Sequence, residues 1–193
     1  MNSILKELND RQKEAAGKTE GALLIIAGAG SGKTKTLTQR IAYLIQEKGV
    51  KPWNILAVTF TNKAANEMKE RVRKILGEEA VDAQEMPVVG TFHSICIRIL
   101  RKNIHLLGME NSFVIYDTND QVVLMKQLMK KRGMDEKKMN PKAILSHISQ
   151  AKNQLIGPDE YSSYANTYFS EKVAELYKSF QKELERVNAL DFD

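Results

Sequence analysis

The chain has 193 residues, of which 42% are hydrophobic and 27% are charged, and its formal net charge is +5 at pH 7. This composition is typical of a globular domain, and no apolar run approaches the ~20 residues that a membrane-spanning helix needs. A single cysteine, Cys96, excludes an intramolecular disulfide framework, and its isoleucine neighbours predict a buried thiol. Because the first ten residues contain no apolar signal core, we expect a cytoplasmic protein.

The first predicted element is a short helix that begins at Asn9 or Asp10, both of which are favourable N-cap residues. Gln12 lies in its first turn. A carboxamide offers both a donor and an acceptor, so Gln12 is a candidate for reading the edge of an adenine base.

A phosphate-binding loop follows an apolar run at residues 23–27, which predicts a buried parallel strand. Glycines let successive N–H groups turn inward around a phosphate, the lysine reaches the outer phosphates, and the threonine hydroxyl can ligate Mg²⁺. The strict phosphate-loop pattern, G-x-x-x-x-G-K-[ST], has glycine at its first position, where this chain has Ala27. A small residue suffices at that position. The predicted loop comprises Ala27, Gly28, Ala29, Gly30, Ser31, Gly32, Lys33 and Thr34.

A helix is predicted after the loop, because Leu37, Ile41 and Leu44 recur at helical spacing and Gly49 can end it. The N-terminus of this helix would direct its free N–H groups and the positive end of the helix dipole at the bound anion. Arg40 on this helix faces either the nucleotide or solvent. The sequence leaves both open, and we include Arg40 among the candidate nucleotide-binding residues.

Two further buried strands are predicted at residues 55–60 and 87–90, with an amphipathic helix and a polar loop (77–85) between them. This strand-helix-strand order favours a parallel sheet, whose ligands bind at the carboxyl ends of the strands. Phe60 lies at one such end, where an exposed ring suits single-stranded nucleic acid; the alternative is a core residue. The next strand brings Thr91, Phe92 and His93 to the same edge of the sheet. His93 has no neighbouring ligand residues at metal-binding spacing, so we reject a metal site there.

Four motifs, at residues 8–12, 27–34, 58–65 and 90–94, occur in the order and spacing of superfamily 1 DNA helicases of the UvrD/Rep/PcrA type. The chain resembles the N-terminal part of these proteins, with the PcrA branch nearest. The resemblance implies an ATP-driven motor that moves three-prime to five-prime along one DNA strand, with Mg²⁺ as cofactor, in DNA replication or repair.

The resemblance also implies roles for individual residues. Gln12 corresponds to the adenine-reading glutamine, Lys33 to the phosphate-binding lysine and Thr34 to the Mg²⁺ ligand. The residues that correspond to the motifs holding single-stranded DNA are Phe60, Thr61, Asn62, Lys63, Thr91, Phe92 and His93.

The remainder of the chain is predicted to be helical after a short strand at 113–117. Its methionine-rich stripe, which includes Met125 and Met129, indicates a core rather than a binding surface, and Asn140 followed by Pro141 predicts the start of a helix. Residues 120–152 contain eight Lys/Arg and three acidic residues, so they carry the whole net charge. That excess favours a polyanion partner, and a solvated helix face is the alternative. By resemblance, the partner is DNA at a duplex junction. The predicted domains are a RecA-like domain at 1–117, a helical insertion at 118–188 and a return to the first domain at 189–193.

The predicted fold class is therefore α/β: an incomplete parallel sheet of the P-loop NTPase, RecA-like, type with an all-α insertion. The acidic Walker B pair, the arginine fingers and the second RecA-like domain are not found in the sequence. We expect a fragment that does not unwind DNA and hydrolyses ATP poorly, with one unpaired flank of its sheet. Two alternatives remain: a non-catalytic DNA-binding or interaction module with a vestigial loop, and a P-loop small-molecule kinase.

Overall fold

The structure, a computed structural model, describes residues 3–77 and 86–193. The polar loop predicted at 77–85 lies outside the described residues, apart from Gly77. The chain is a mixed α/β protein that forms two compact units, Met1–Ile97 and Arg98–Asp193, which we call the N-terminal unit and the C-terminal unit. Among the described residues no helix is long and apolar enough to cross a membrane.

The N-terminal unit is built around a two-stranded parallel sheet. Strands β1 (Leu56–Thr59) and β2 (Val88–Thr91) pair in register, from Leu56 opposite Val88 to Thr59 opposite Thr91. Helix α3 (Asn62–Leu76) lies between them in the chain. The predicted strand-helix-strand arrangement is thereby confirmed. The prediction that residues 55–60 are buried is wrong, because among the described residues β1 has a sheet partner on one side only, and Leu56 is exposed while the other three residues of the strand are half-buried. The elements of this unit are α1 (Asp10–Gly17), α2 (Lys33–Gln46), β1 (Leu56–Thr59), α3 (Asn62–Leu76), β2 (Val88–Thr91) and the first half of α4 (Phe92–Asn103).

A small apolar cluster holds these elements together. Helix α3 is amphipathic, with apolar residues at helical spacing on one face, and that face packs against α2 and β2. The buried members of the cluster are Ile41, Ala65, Met68, Val72 and Val89.

The prediction of a buried strand at residues 23–27 is wrong. The segment belongs to neither sheet, and the side chains of Leu24 and Ile26 are 81% and 88% exposed. A central parallel strand is buried only when neighbouring strands pair with it and helices cover both faces. In the described part of the chain, β1 pairs with β2, and the two other strands, β3 (Val114–Ile115) and β4 (Ala189–Leu190), pair with each other. The apolar run therefore has no strand to pair with in that part of the chain.

The C-terminal unit is mainly helical, with a larger core. Met125 and Met129 are fully buried in it, which confirms that the methionine stripe is core. Phe180 at its centre is also fully buried. Besides the second half of α4, its elements are β3 (Val114–Ile115), α5 (Thr118–Lys131), α6 (Pro141–Asn153), α7 (Pro158–Tyr164), α8 (Tyr168–Arg186) and β4 (Ala189–Leu190).

The last residues are fastened to this unit by polar contacts as well as by the parallel pairing of β4 with β3. Asn188, in the left-handed backbone region, bonds to the backbone of Glu110 in both directions. Lys152 forms a 2.5 Å ion pair with the buried carboxylate of Asp191. Burial, and secondarily the charge of Asp191, raises the pKa of the Tyr177 phenol.

The predicted domain boundaries at residues 117 and 188 stay predictions. The two compact units divide between residues 97 and 98.

Candidate functional site

The glycine-rich loop has the backbone that an anion site requires. Gly30 and Gly32 have φ values of +73° and +85°, which a side chain would strain. Gly32 is the N-cap of α2 and provides no side-chain cap for that helix. The first N–H groups of a helix lack intrahelical partners, so this N-terminus offers donors and a positive dipole end to a bound anion.

Lys33 is folded back over the same loop. Its ammonium donates to the carbonyl oxygens of Ala27 and Gly28 at 2.6 and 2.7 Å, and the Ser31 hydroxyl donates to Gly28 at 2.7 Å. A flexible ammonium bonded to exposed carbonyls can exchange them for phosphate oxygens without being desolvated first. The donor set of the loop therefore fits a nucleotide polyphosphate. Thr34 is half-buried at the second residue of α2, and its predicted role as the Mg²⁺ ligand stays a prediction.

Gln12 lies against this loop. It forms a capping box with Asn9 at the start of α1, in which its side-chain oxygen accepts from the Asn9 backbone N–H at 3.1 Å. Its amide nitrogen donates to the carbonyl of Ser31 at 2.9 Å, and a Cβ on Gly32 would lie 2.8 Å from that nitrogen. The structure thus brings the predicted adenine-reading residue to the phosphate loop, through a bond that the motif did not predict.

Arg40 contacts α1. Its guanidinium donates to the carbonyl of Ala15 at 2.7 Å and to that of Lys18. Its predicted role in binding the cofactor stays a prediction. The sequence carried one signal for the observed contact: the last turn of α1 contains no basic residue, so its free carbonyls need donors from elsewhere.

The other predicted residues gather where the two strands end. Because Thr59 and Thr91 are paired in register, the residues that follow them emerge side by side. The rings of Phe60 and Phe92 are 92% and 52% exposed, and their centroids lie 5.6 Å apart at an interplanar angle of 50°. The alternative that Phe60 is a core residue is therefore wrong.

Two threonines of these motifs begin helices. The hydroxyl of Thr61 accepts from the N–H of Ala64 at 3.2 Å, and that of Thr91 accepts from Ser94 at 3.3 Å. Both helices begin at the strand ends because these oxygens satisfy first-turn N–H groups. Three polar side chains, Asn62, Lys63 and His93, are exposed in the first turns of α3 and α4.

Two further observations concern residue types that often take part in binding or catalysis. Cys96 on α4 is exposed, so the prediction of a buried thiol is wrong; the buried face of the helix falls on Ile95. Within residues 3–77 and 86–193, no group of three or more His, Cys, Asp or Glu side chains is arranged to hold a metal ion.

Comparison with known proteins agrees with these motifs. The sequence pattern of the UvrD/REP helicase N-terminal domain matches residues 8–193. The chain belongs to this family. It is 52% identical over 192 residues to the ATP-dependent DNA helicase PcrA of Bacillus subtilis (strain 168), and 49% identical over 193 residues to the proteins of the same name from Staphylococcus epidermidis (strain ATCC 12228 / FDA PCI 1200) and Staphylococcus aureus (strain NCTC 8325 / PS 47). Each match covers 100% of this chain but only 25–26% of the relative, so the chain spans about a quarter of their length.

Proposed function

We propose that this chain is the ATP-binding and single-stranded-DNA-contacting N-terminal part of an ATP-dependent, three-prime to five-prime DNA helicase. It would have a RecA-like fold with a helical insertion and act in DNA replication or repair in the cytoplasm. Family membership and the helicase activity for which the relatives are named support the proposed activity. The observation that carries the proposal is the pairing, within one unit, of a helix-capping glycine loop with two exposed aromatic rings at adjacent strand ends.

In the proposed nucleotide site, the polyphosphate is held by the loop N–H groups and by Lys33, which exchanges its carbonyl partners for phosphate oxygens. Thr34 would ligate Mg²⁺, whose charge would help to neutralise the phosphates. Gln12 would read the adenine edge: its amide nitrogen carries two N–H groups, so one can stay on the carbonyl of Ser31 while the other donates to the base. Hydrolysis would depend on acidic and arginine groups that this sequence does not supply, so we propose that the chain alone turns ATP over slowly and does not unwind DNA.

In the proposed DNA site, bases stack on the exposed ring of Phe60, and Phe92 supports that ring from the neighbouring strand end. Asn62, Lys63 and His93 provide donors for the backbone phosphates. The helical segment 120–152, which holds the basic excess, would meet the duplex at a junction. Within that segment, Lys126 is paired with Glu136 at 3.4 Å in an exposed and readily exchanged ion pair.

The nucleotide arm of the test is calorimetry with Mg²⁺-ATP on the wild-type chain and two lysine variants. Lys33→Ala should weaken binding by roughly 10–100-fold, because it removes a charged hydrogen bond from the phosphates. Lys48→Ala is the matched control, since Lys48 lies just beyond the opposite end of α2, about 20 Å from the loop, and should leave the affinity unchanged. Equal affinities in all three proteins would refute the nucleotide site.

The DNA arm follows the binding of a fluorescent oligothymidine. Phe60→Ala should weaken binding by about 5–150-fold, because base stacking on an aromatic ring contributes about 1–3 kcal/mol. Trp53→Ala is the control: this tryptophan is 61% exposed but precedes β1, at the opposite end of the strand from Phe60.

The same measurements separate the two alternatives. DNA binding without any binding of ATP would favour a non-catalytic module with a vestigial loop. ATP turnover that a small metabolite stimulates and DNA does not would favour a P-loop kinase. Binding of both ligands, each weakened by its own variant, would support the helicase proposal over either alternative.

A further inference from the structure

Helix α1, which carries Gln12, has little of its own to hold it in place. It contains eight residues, fewer than the ~12–15 that an isolated helix needs for even marginal stability in water. Ala16 is its single buried residue. The buried Leu8, just ahead of the N-cap, anchors the start of the helix, but burying one methyl group within the helix cannot fix its carbonyl end, so polar contacts from neighbouring elements must supply much of the constraint there.

Those contacts come from α2. At the end of α1, the half-buried guanidinium of Arg40 donates to the carbonyls of Ala15 and Lys18. Ahead of α1, the ammonium of Lys35 donates to the carbonyl of Glu7 at 3.2 Å and pairs with its carboxylate at 3.0 Å. The Lys35 pair is substantially exposed, so water and salt screen it.

The Arg40 contact suits the end of a helix in two ways. The final carbonyls of a helix have no intrahelical partner, and a planar guanidinium can donate to two of them at once. A positive charge at a C-terminus also interacts favourably with the helix dipole. Since the last turn of α1 contains no basic residue, Arg40 supplies what the helix lacks.

Gln12 and Ala15 are three residues apart, so they are neighbours on one side of α1. A displacement of the carbonyl end of so short a helix also moves the carboxamide of Gln12, which lies 2.9 Å from the Ser31 carbonyl and close to Gly32. We propose that Arg40 is a positioning residue for base recognition: it anchors α1 through the Ala15 and Lys18 carbonyls so that Gln12 is held at the phosphate loop.

This inference rests on the proposed nucleotide site and differs from a direct role for Arg40 in binding the cofactor. A guanidinium that contacts phosphates contributes equally to the binding of ATP, GTP and inorganic triphosphate. A guanidinium that acts through Gln12 contributes only where the base is read. The preference for ATP over GTP therefore separates the two roles, and the affinity for triphosphate is the internal reference.

The test measures the affinities of Mg²⁺ complexes of ATP, GTP and inorganic triphosphate for the full chain and its variants. Arg40→Ala and Gln12→Ala should each reduce the ATP preference by about 2–10-fold, the range of one neutral hydrogen bond, with triphosphate affinity unchanged. The double variant should lose no more than Gln12→Ala alone. Arg40→Lys should retain part of the preference, because an ammonium can still donate to one carbonyl.

Arg71→Ala is the matched control, since Arg71 pairs with Glu67 on the exposed surface of α3 and should change no affinity. A readout that needs no nucleotide is amide hydrogen exchange in α1, which should be faster in Arg40→Ala than in Arg71→Ala. Arg40→Met, which keeps much of the side-chain volume but has no donor, replaces Arg40→Ala if the alanine variant does not fold, and should show the same loss of ATP preference.

Three outcomes would overturn the inference while the proposed function stands: an ATP preference that survives Arg40→Ala but not Gln12→Ala, an equal loss of all three ligands in Arg40→Ala, or unchanged exchange in α1. A wild-type chain that binds neither ATP nor triphosphate would instead overturn the proposed function, and the inference with it.

Discussion

The two units are nearly equal in length but are stabilised differently. In the C-terminal unit, the apolar cluster has thirteen buried residues among those described, drawn mainly from α5, α6 and α8. In the N-terminal unit, the corresponding cluster has five among the described residues, although both units expose large apolar side chains, such as Leu24 and Ile26 in this unit and Leu107 and Leu155 in the other. The candidate residues for ATP and for single-stranded DNA all belong to the unit with the smaller core.

The difference follows from how helices and sheets bury apolar surface. Helices α5, α6 and α8 each carry an apolar stripe, and packing these stripes together completes a core within one stretch of chain. A parallel sheet must be covered by helices and extended by further strands before its apolar residues are buried. The geometry of the candidate site thus depends on caps, glycine conformations and single hydrogen bonds more than on core packing.

The largest expected effects test whether the two clusters act separately. Phe180→Ala should destabilise the C-terminal unit by about 3–5 kcal/mol and Met68→Ala the N-terminal unit by about 2–5 kcal/mol, because each leaves a cavity in its own core. Hydrogen exchange read by peptide should show faster opening of α5, α6 and α8 in the first variant and of α2 and α3 in the second.

The comparison would fail if either variant accelerated exchange equally in both units, since the chain would then unfold as one cooperative body. Leu107→Ala is a suitable control: its side chain is 74% exposed, so removing it should alter exchange in neither unit.

The next effect concerns the buried ion pair of the C-terminal unit. Lys152→Ala leaves the carboxylate of Asp191, whose side chain is 5% exposed, without its countercharge, and should cost about 3–5 kcal/mol. Lys178→Ala is the control. It removes a lysine that pairs at 2.9 Å with the exposed Asp159, and that contact holds the pKa of Asp159 below its ordinary value.

Chemical denaturation monitored by circular dichroism measures both variants. The Lys178 variant should unfold near the wild-type midpoint at pH 7. Lys178 stabilises only the ionised form of Asp159, which is why the pKa of that carboxyl is lowered. Whatever Lys178 contributes to the free energy of unfolding is therefore lost as the pH falls through the pKa of Asp159. If the two variants lost the same free energy of unfolding at pH 7, the burial of Asp191 would not explain the cost of removing its lysine partner.

Local sequence signals predicted much of both units. The N-cap at Asn9, the proline that follows the cap at Asn140, the parallel pairing of β1 with β2 and the methionine core are set by neighbouring residues or by apolar spacing. The motifs also indicated that Phe60 and Phe92 would be neighbours, because the carboxyl ends of parallel strands meet at one edge.

Contacts between distant side chains and backbone carbonyls were not predictable in the same way. Nothing in the glycine-loop motif indicates that Lys33 donates to Ala27 and Gly28, or that Gln12 donates to Ser31, because a carbonyl acceptor has no residue-type signature. For the carbonyls of Ala15 and Lys18 the sequence indicated only that a donor was lacking in the last turn of α1, and not that Arg40 would supply it.

The smallest expected effect tests the segment on which sequence and structure disagree. Ile26→Thr should change the free energy of unfolding by no more than about 0.5 kcal/mol, because its side chain is 88% exposed and a hydroxyl there remains in water. Val89→Thr, in β2, is the matched control: its side chain is 6% exposed, so the same type of change buries a hydroxyl and should cost about 1–3 kcal/mol.

Denaturant unfolding of both variants in the same chain decides between two accounts of the apolar run. If Ile26→Thr costs as much as Val89→Thr, residues 23–27 form the buried strand that their composition predicts, and the phosphate loop is held from its N-terminal side by a sheet. If it costs little, the loop is positioned from its C-terminal side, by α2, and through α1 by Gln12. The geometry of the nucleotide site then depends on those two helices, whatever the apolar character of the residues that precede it.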